Sequence, residues 1–282
     1  VREKGATPIL VSLTPRNEWP GGKIERRNDS YGKWYREVVK ETGVELVDVH
    51  NISADFLDRI GREKAKAYYN HDHTHTSLTG AKMNAKSVAK GLMRNDSPLA
   101  KYLISSTTIV EDMSKRDPKN NEPFYYSAEL PDGNYKVTVV FGSKKKAGKT
   151  VVRAESRRLM VDEVSTKKGE FKTVEFTVNK RTTFISDLKY VKIKDREKNY
   201  PTWDDFLTLE FTGEAPAVKE LKIERDTVAT QIFLCGNSTV TDQPSEPYAS
   251  WGQMAPVWFG PDVVIANHAE SGLATSSFIA QG

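Results

Sequence analysis

The sequence has one cysteine in 282 residues, so no intrachain disulfide framework can hold it together. Net charge is nearly absent: 42 basic residues stand against 38 acidic ones, and the resulting +4 is too small and too dispersed for a nucleic-acid binder. The run Lys144 to Lys146 between Gly142 and Gly148 is expected to be a solvated hairpin turn. No apolar run approaches membrane-spanning length, so no membrane association is expected. Cys235, in an apolar run, says little about compartment. What remains is an ordinary globular composition, 38% apolar, or about 44% with the 18 glycines, and a length sufficient for two domains. The chain opens at Val1 without Met and stops at Gly282 in mid-pattern, as a piece of a longer protein would.

Histidine is also scarce, which makes its distribution informative: three of the five lie in His71 to Gly80, HDHTHTSLTG. Asp72, three residues before His75, can set a carboxylate beside an imidazole nitrogen, fixing the tautomer and leaving the other nitrogen as a base. Two other readings stay open on these residues alone. The segment can be a polar helix entry in which Ser77 or Thr76 caps a helix from Leu78 to Leu92, with His73 and His75 merely solvated. Alternatively His71, His73 and His75 alternate and share one face of an extended segment, as metal ligands could, although no cysteine or second histidine cluster accompanies them.

Patterning divides the chain into an α/β part, an all-β part and a second α/β part. Thr7 to Leu13 (TPILVSL) is a continuous apolar run of the kind buried on both faces of a parallel sheet. Tyr31 to Glu41 has Trp34, Tyr35, Val38 and Val39 at helical spacing, with Thr42-Gly43 as a stop, and Val44 to Val49 is a second strand. After a linker over 96–106, containing Asp96, Ser97 and Pro98, the period becomes two: Tyr135 to Phe141, Phe171 to Val178, Phe206 to Phe211 and Val218 to Ile223. A β-sandwich of jelly-roll type is expected over 107–227. Tyr125, Tyr126 and Trp203 can form a sugar-stacking platform there, or can fill the core and cover its edge.

From residue 228 the α/β grammar returns. Thr230 to Cys235 (TQIFLC) is a buried strand running into Gly236-Asn237-Ser238-Thr239-Val240. A serine on the turn after a parallel strand is exposed at the carboxyl edge of the sheet, beside backbone N–H groups suited to a developing oxyanion. Trp251, Met254 and Trp258 are at helical spacing within Pro247 to Phe259, and Asp262 to Ala266 forms a further strand leading to Asn267-His268-Ala269-Glu270-Ser271-Gly272. Gly272 has no side chain to keep its N–H from a substrate oxygen. Either segment alone is also compatible with an ordinary glycine turn.

IFLCGNSTVTDQ, ASWGQM and NHAESG resemble the opening blocks of the SGNH (GDSL-type) hydrolases, especially the rhamnogalacturonan acetylesterases. HDHTHTSLTGA resembles the closing Asp-x-x-His block of that family, with GATPILVSLTPRNEW as the strand and loop before it. YKVTVVFGS, RAESRRLMVDEV and WDDFLTLEFTG resemble a β-sandwich that several bacterial members carry before the catalytic domain. The resemblance implies an α/β plus all-β chain: partial flavodoxin-like segments at 1–95 and 228–282 flanking a galactose-binding-like sandwich. It implies Ser238 as nucleophile, His75 as general base and acid, Asp72 as its orienter, and the Ser238 and Gly272 N–H groups in the oxyanion hole. His71 and His73 have no catalytic role, and no metal or other cofactor is needed. The implied activity is removal of acetyl groups from a pectic polysaccharide, with acetylated plant cell-wall polysaccharide as partner and a secreted or periplasmic location.

Three departures accompany the resemblance. The family's Gly-Asp-Ser reads Gly236-Asn237-Ser238 here, and its central Gly-x-Asn-Asp block, which supplies a side-chain amide to the oxyanion hole, is absent from both α/β portions. A missing donor of that type costs roughly 10²- to 10³-fold in rate. Third, the family's last block comes first and its first block last. A slice through a tandem enzyme is the favoured explanation of that order, placing Ser238 and His75 in different active sites; circular permutation, which would unite them, needs a central strand that neither end provides. A non-catalytic carbohydrate-binding or scaffolding protein with degenerate esterase segments is the alternative.

Overall fold

The computed structural model describes residues 2–103, 108–116, 121–186 and 189–277, with only the backbone of Ser186. The chain divides into two compact units, Val1–Ile104 and Ser105–Gly282. The last part of the expected linker, 104–106, and residue 107 lie outside the described residues.

The first unit runs β1 (Ile9–Val11), α1 (Tyr31–Thr42), β2 (Glu45–Val47), α2 (Val49–Ile60), α3 (Arg62–Ala65) and α4 (Leu78–Arg94). Strands β1 and β2 pair in parallel, Ile9 with Glu45 through Val11 with Val47. Helix α1 stops where the sequence places its stop, with Gly43 at φ 61° donating its N–H to the Val39 carbonyl. Helix α2 was not anticipated; Asp48 caps it by accepting from the Asn51 N–H at 3.1 Å, so the expected strand to Val49 ends two residues early. Ser77 caps α4 through the Gly80 N–H at 3.2 Å. Gly80 is required there, because a Cβ would stand 1.9 Å from the Tyr68 carbonyl oxygen. The core joins Ala54 and Leu57 of α2 to Ala65, Tyr69 and Met83.

One expectation about this unit is corrected. Thr7 to Leu13 is not buried on both faces: the strand is three residues long, and Val11 and Leu13 are exposed, because the described sheet has two strands. Trp34 and Val38 likewise face solvent, with Trp34 stacked edge-on against Tyr31 at 5.1 Å.

In the second unit, β3 (Thr108–Asp112), β4 (Phe124–Glu129), β5 (Gly133–Phe141), β6 (Gly148–Ala154), β7 (Arg158–Thr166), β8 (Lys172–Lys180), β9 (Phe184–Ser186), β10 (Lys189–Tyr190), β11 (Phe206–Thr212) and β12 (Val218–Asp226) come first. Eight of them form two antiparallel four-stranded sheets, β4-β11-β6-β7 and β3-β12-β5-β8, while β9 and β10 pair separately. The period-two pattern has its expected cause: Tyr135, Val137, Val139 and Phe141 of one sheet and Leu207, Leu209 and Phe211 of the other all point into one core. Residues 144–146 do not form a hairpin turn, since β5 and β6 belong to different sheets and the lysine run lies on the crossover between them.

The remaining elements are β13 (Thr230–Leu234), α5 (Trp251–Met254) and β14 (Val263–Asn267). Strands β13 and β14 pair in parallel from Thr230–Val263 to Leu234–Asn267. They are tied to the sandwich by Asn134 donating to Gln231 at 2.8 Å and by Thr177 donating to the Pro261 carbonyl. Strand β13 is less buried than expected, with Phe233 and Cys235 exposed. The helix expected from Pro247 to Phe259 is short: one turn of α-helix passes into a 3-10 turn, Ala255–Trp258, at Pro256, and Trp251 and Trp258 are exposed.

Because the sandwich core is fully closed around Phe211, Phe211→Ala should destabilise the second unit by about 3–5 kcal/mol, measured as a lowered denaturation midpoint with the first unit unaffected.

Candidate active site

The Asp72–His75 pairing forms as the sequence predicts. Asp72 Oδ2 lies 2.6 Å from His75 Nδ1, and Asp72 Oδ1 accepts the backbone N–H groups of Thr74 and His75, each at 2.7 Å. These amide bonds, that of His75 first, with the imidazole contact hold the Asp72 carboxyl well below the usual carboxylate range. His75 is 79% exposed, with Nε2 unbonded among the described residues. The segment is anchored on both flanks: Asn70 N–H donates to the His75 carbonyl at 2.9 Å, and Asn17 N–H to the His73 carbonyl at 2.7 Å. Tyr69 bridges to Thr76 and donates its hydroxyl to the Pro15 carbonyl at 2.9 Å. His73 Nε2 stands 3.4 Å from Glu18. Among the described residues no group of three or more His, Cys, Asp or Glu side chains is arranged to hold a metal ion.

Ser238 and Gly272 belong to the second unit, on the loops that follow the parallel strands β13 and β14. His268 N–H donates to the Leu234 carbonyl at 2.8 Å and Glu270 N–H to the Gly236 carbonyl at 3.0 Å, so the two loops run side by side. Ser238 is exposed and lines an open cavity of about 750 Å³ together with Ser271, the residue before Gly272. Gly272 has φ 84° and open space around its α-carbon, as close approach of a substrate oxygen demands. Asn237 closes the Ser238 turn: its Oδ1 accepts the Thr239 N–H at 3.1 Å and the Thr239 hydroxyl at 3.0 Å. That task needs only an acceptor oxygen, which an amide supplies as a carboxylate does.

The groups that fix this turn escaped the sequence reading. Arg158, on β7, is 1% exposed and stands 3.1 Å from Asp242 as an ion pair without hydrogen-bond alignment. Asp242 accepts from Asn267 at 2.8 Å, and Asn267 also donates to the Val240 carbonyl at 2.6 Å. Gln243 donates to the Ser238 carbonyl at 2.9 Å. Asp242, Gln243 and Gln253 all lie inside the blocks that carry the family resemblance, and Arg157 and Arg158 inside RAESRRLM, but their roles depend on contacts spanning many residues. The stacking platform proposed for Tyr125, Tyr126 and Trp203 divides: Tyr126 is in the core, Tyr125 is exposed on β4, and Trp203 has the Arg181 guanidinium over its ring at 5.2 Å.

Segments of the chain are similar to rhamnogalacturonan acetylesterases, enzymes of the SGNH family. The similarity is 28% over 91 residues to the rhamnogalacturonan acetylesterase of Emericella nidulans (32% of this chain, 37% of that one) and 32% over 108 residues to the probable rhamnogalacturonan acetylesterase YesY of Bacillus subtilis (36% and 50%). It is 44% over 54 residues to Bacillus subtilis RhgT (18% and 23%), so the chain spans at most half the length of these curated relatives. No family model matches. Among solved structures, protein YXIM of Bacillus subtilis overlaps 56% of this chain and 40% of its own at 23% identity and a TM-score of 0.23. The C-terminal CBM6 of the Zobellia galactanivorans laminarinase LamC overlaps 42% and 99% at 14% identity and a TM-score of 0.23. At those scores the overlaps define neither fold nor function.

In the β6–β7 turn, burial pushes the Glu155 carboxyl up to about 7, against the opposing pull of Arg158 and the Thr208 N–H. A carboxyl raised on folding binds its proton more tightly in the native state, so its contribution to stability is present below the unfolded value of about 4.3 and is lost as pH rises towards 7. Glu155→Gln should therefore flatten the thermal stability of the second unit between those limits, the difference from the parent growing as pH rises, followed by scanning calorimetry across the window.

Proposed function

We propose that the chain is part of a carbohydrate esterase that removes acetyl groups from pectic polysaccharide, with Ser238 as nucleophile and the Asp72–His75 pair as the acid-base group. One observation carries the reading: an exposed histidine whose Nδ1 is held by a carboxylate that is itself locked by two backbone amides, as a catalytic imidazole must be oriented. The similarity of these segments to rhamnogalacturonan acetylesterases supports the substrate class. In each such site the serine hydroxyl attacks the acetyl carbonyl while the histidine takes its proton. The tetrahedral oxyanion is received by the Ser238 and Gly272 N–H groups, and its collapse expels the sugar hydroxyl, which regains the proton. Water, deprotonated by the same histidine, then attacks the acetyl-enzyme and releases acetate.

The domain reading is 1–95 as the closing part of one flavodoxin-like SGNH domain, 96–106 as linker, 107–227 as sandwich and 228–282 as the opening part of a second such domain. The order of the blocks supports a tandem enzyme, in which Ser238 and His75 serve separate sites. A secreted or periplasmic location follows from a polysaccharide substrate.

The test is acetate release from acetylated rhamnogalacturonan by the full-length gene product. Ser238→Ala should abolish the share of activity due to its site. Asp72→Asn, which leaves the geometry in place but permits the wrong imidazole tautomer, should lower kcat at the other site by about 10⁴-fold. Undiminished activity in Ser238→Ala would remove that serine from the mechanism.

A further inference from the structure

We propose that Gln253 is a positioning residue for Ser238, transmitting the geometry of the sandwich's β6–β7 turn to the nucleophile turn; this rests on Ser238 being the nucleophile. Gln253 lies on α5 and is completely buried, with its backbone fixed by the Ser250 hydroxyl at 3.1 Å. Its side-chain nitrogen carries two N–H donors, and both are used on carbonyl oxygens far away in sequence or across a loop: Ser156 at 2.8 Å and Gln243 at 2.9 Å. Gln243 passes the constraint on, since its own amide donates to the Ser238 carbonyl at 2.9 Å.

The same turn grips the loop a second time. Arg157 Nη1 donates to the carbonyls of Gln243 at 3.3 Å and Tyr248 at 3.1 Å, while Nη2 meets Glu246 at 2.8 Å. The Gln243 carbonyl is thus fixed by one donor from the sandwich and one from α5, and its side chain fixes the peptide that joins Ser238 to Thr239. A shift at residue 243 displaces the Ser238 peptide, and displacement of about 1 Å in a catalytic group costs on the order of 10²-fold in rate. The sandwich therefore acts in this site as a brace for the nucleophile.

Gln253→Met in the full-length gene product tests this, because it keeps length and volume while removing both donors. Hydrogen exchange is read at Thr239, Val240 and Thr241, whose N–H groups all bond to Asn237. Their exchange should accelerate while β5 and β11 exchange as before, and kcat for the share of acetate release that Ser238→Ala removes should fall by about 10²-fold with KM little changed. Arg157→Lys, which keeps the charge and loses the fork, should show the same split more weakly and serves if Gln253→Met does not fold. Unchanged exchange at the three amides overturns the proposal, and so does faster exchange with unchanged kcat. Failure of the esterase reading shows separately, as full activity in Ser238→Ala, because the exchange measurement does not depend on turnover.

Discussion

The second unit depends on a buried ion pair. Arg158 and Asp242 are both shielded from water, so each charge depends on the other and on the polar groups around it. Asp242 Oδ1 accepts from Asn267 and Arg158 Nη1 donates to the Asn179 carbonyl at 2.9 Å, while Asp242 Oδ2 and Arg158 Nε and Nη2 make no hydrogen bond and have ion pairing alone. The partners come from separate elements: β7 supplies the guanidinium, Asn179 is the last but one residue of β8, β14 ends on Asn267, and the carboxylate belongs to the loop carrying Ser238. Removing either charge strands the other in a dry environment, so the pair ties the Ser238 loop to the sandwich. Burial raises the Asp242 carboxyl from its ordinary range while Arg158 and Arg181 oppose the shift.

The β6–β7 turn bears a cost that fits this role. Glu155 and Arg157 both lie in the left-handed region, at φ 56° and 63°, without being glycine. Each such residue costs roughly 1–2 kcal/mol. The turn is held by Glu155 N–H on the Thr208 carbonyl and by Arg157 N–H on the Glu155 carbonyl, both at 2.8 Å, and by the Thr208 N–H on the Glu155 carboxylate at 2.9 Å. The strained backbone aims Ser156, Arg157 and Arg158 at the loop beyond β13, where they meet Gln253, Gln243 and Asp242.

What could be read from the sequence followed the range of the interaction responsible. Period-two burial in Tyr135 to Phe141 follows from the alternation of side chains along one strand and was legible. So was the Ser77 cap, whose partner is three residues away, and so was Asp72 with His75. Helix α2 was hidden because Val44 to Val49 looks like one strand until Asp48 turns its carboxylate onto the next helix. The exposure of Val11, Phe233 and Trp251 was hidden for a different reason: apolarity records what a segment can bury, and the two-stranded parallel sheets offer those side chains no cover among the described residues. The Trp258 helix failed at Pro256, which removes a backbone donor where the periodicity continues.

The two halves of the proposed chemistry are therefore built by different rules. The acid-base pair is local: three residues separate Asp72 from His75, and backbone amides within the same turn lock the carboxylate. Such a constellation tolerates large changes elsewhere provided the turn forms. The Ser238 turn combines local and distant support: Asn237 closes it within two residues, while the Gln243 and Gln253 that back it are held by bonds spanning 86 to 97 residues from another layer of the fold. The β-sandwich thus has a structural part in the Ser238 turn that is independent of any affinity it has for sugar: Ser156, Arg157 and Arg158 supply the contacts on which the loop after β13 rests.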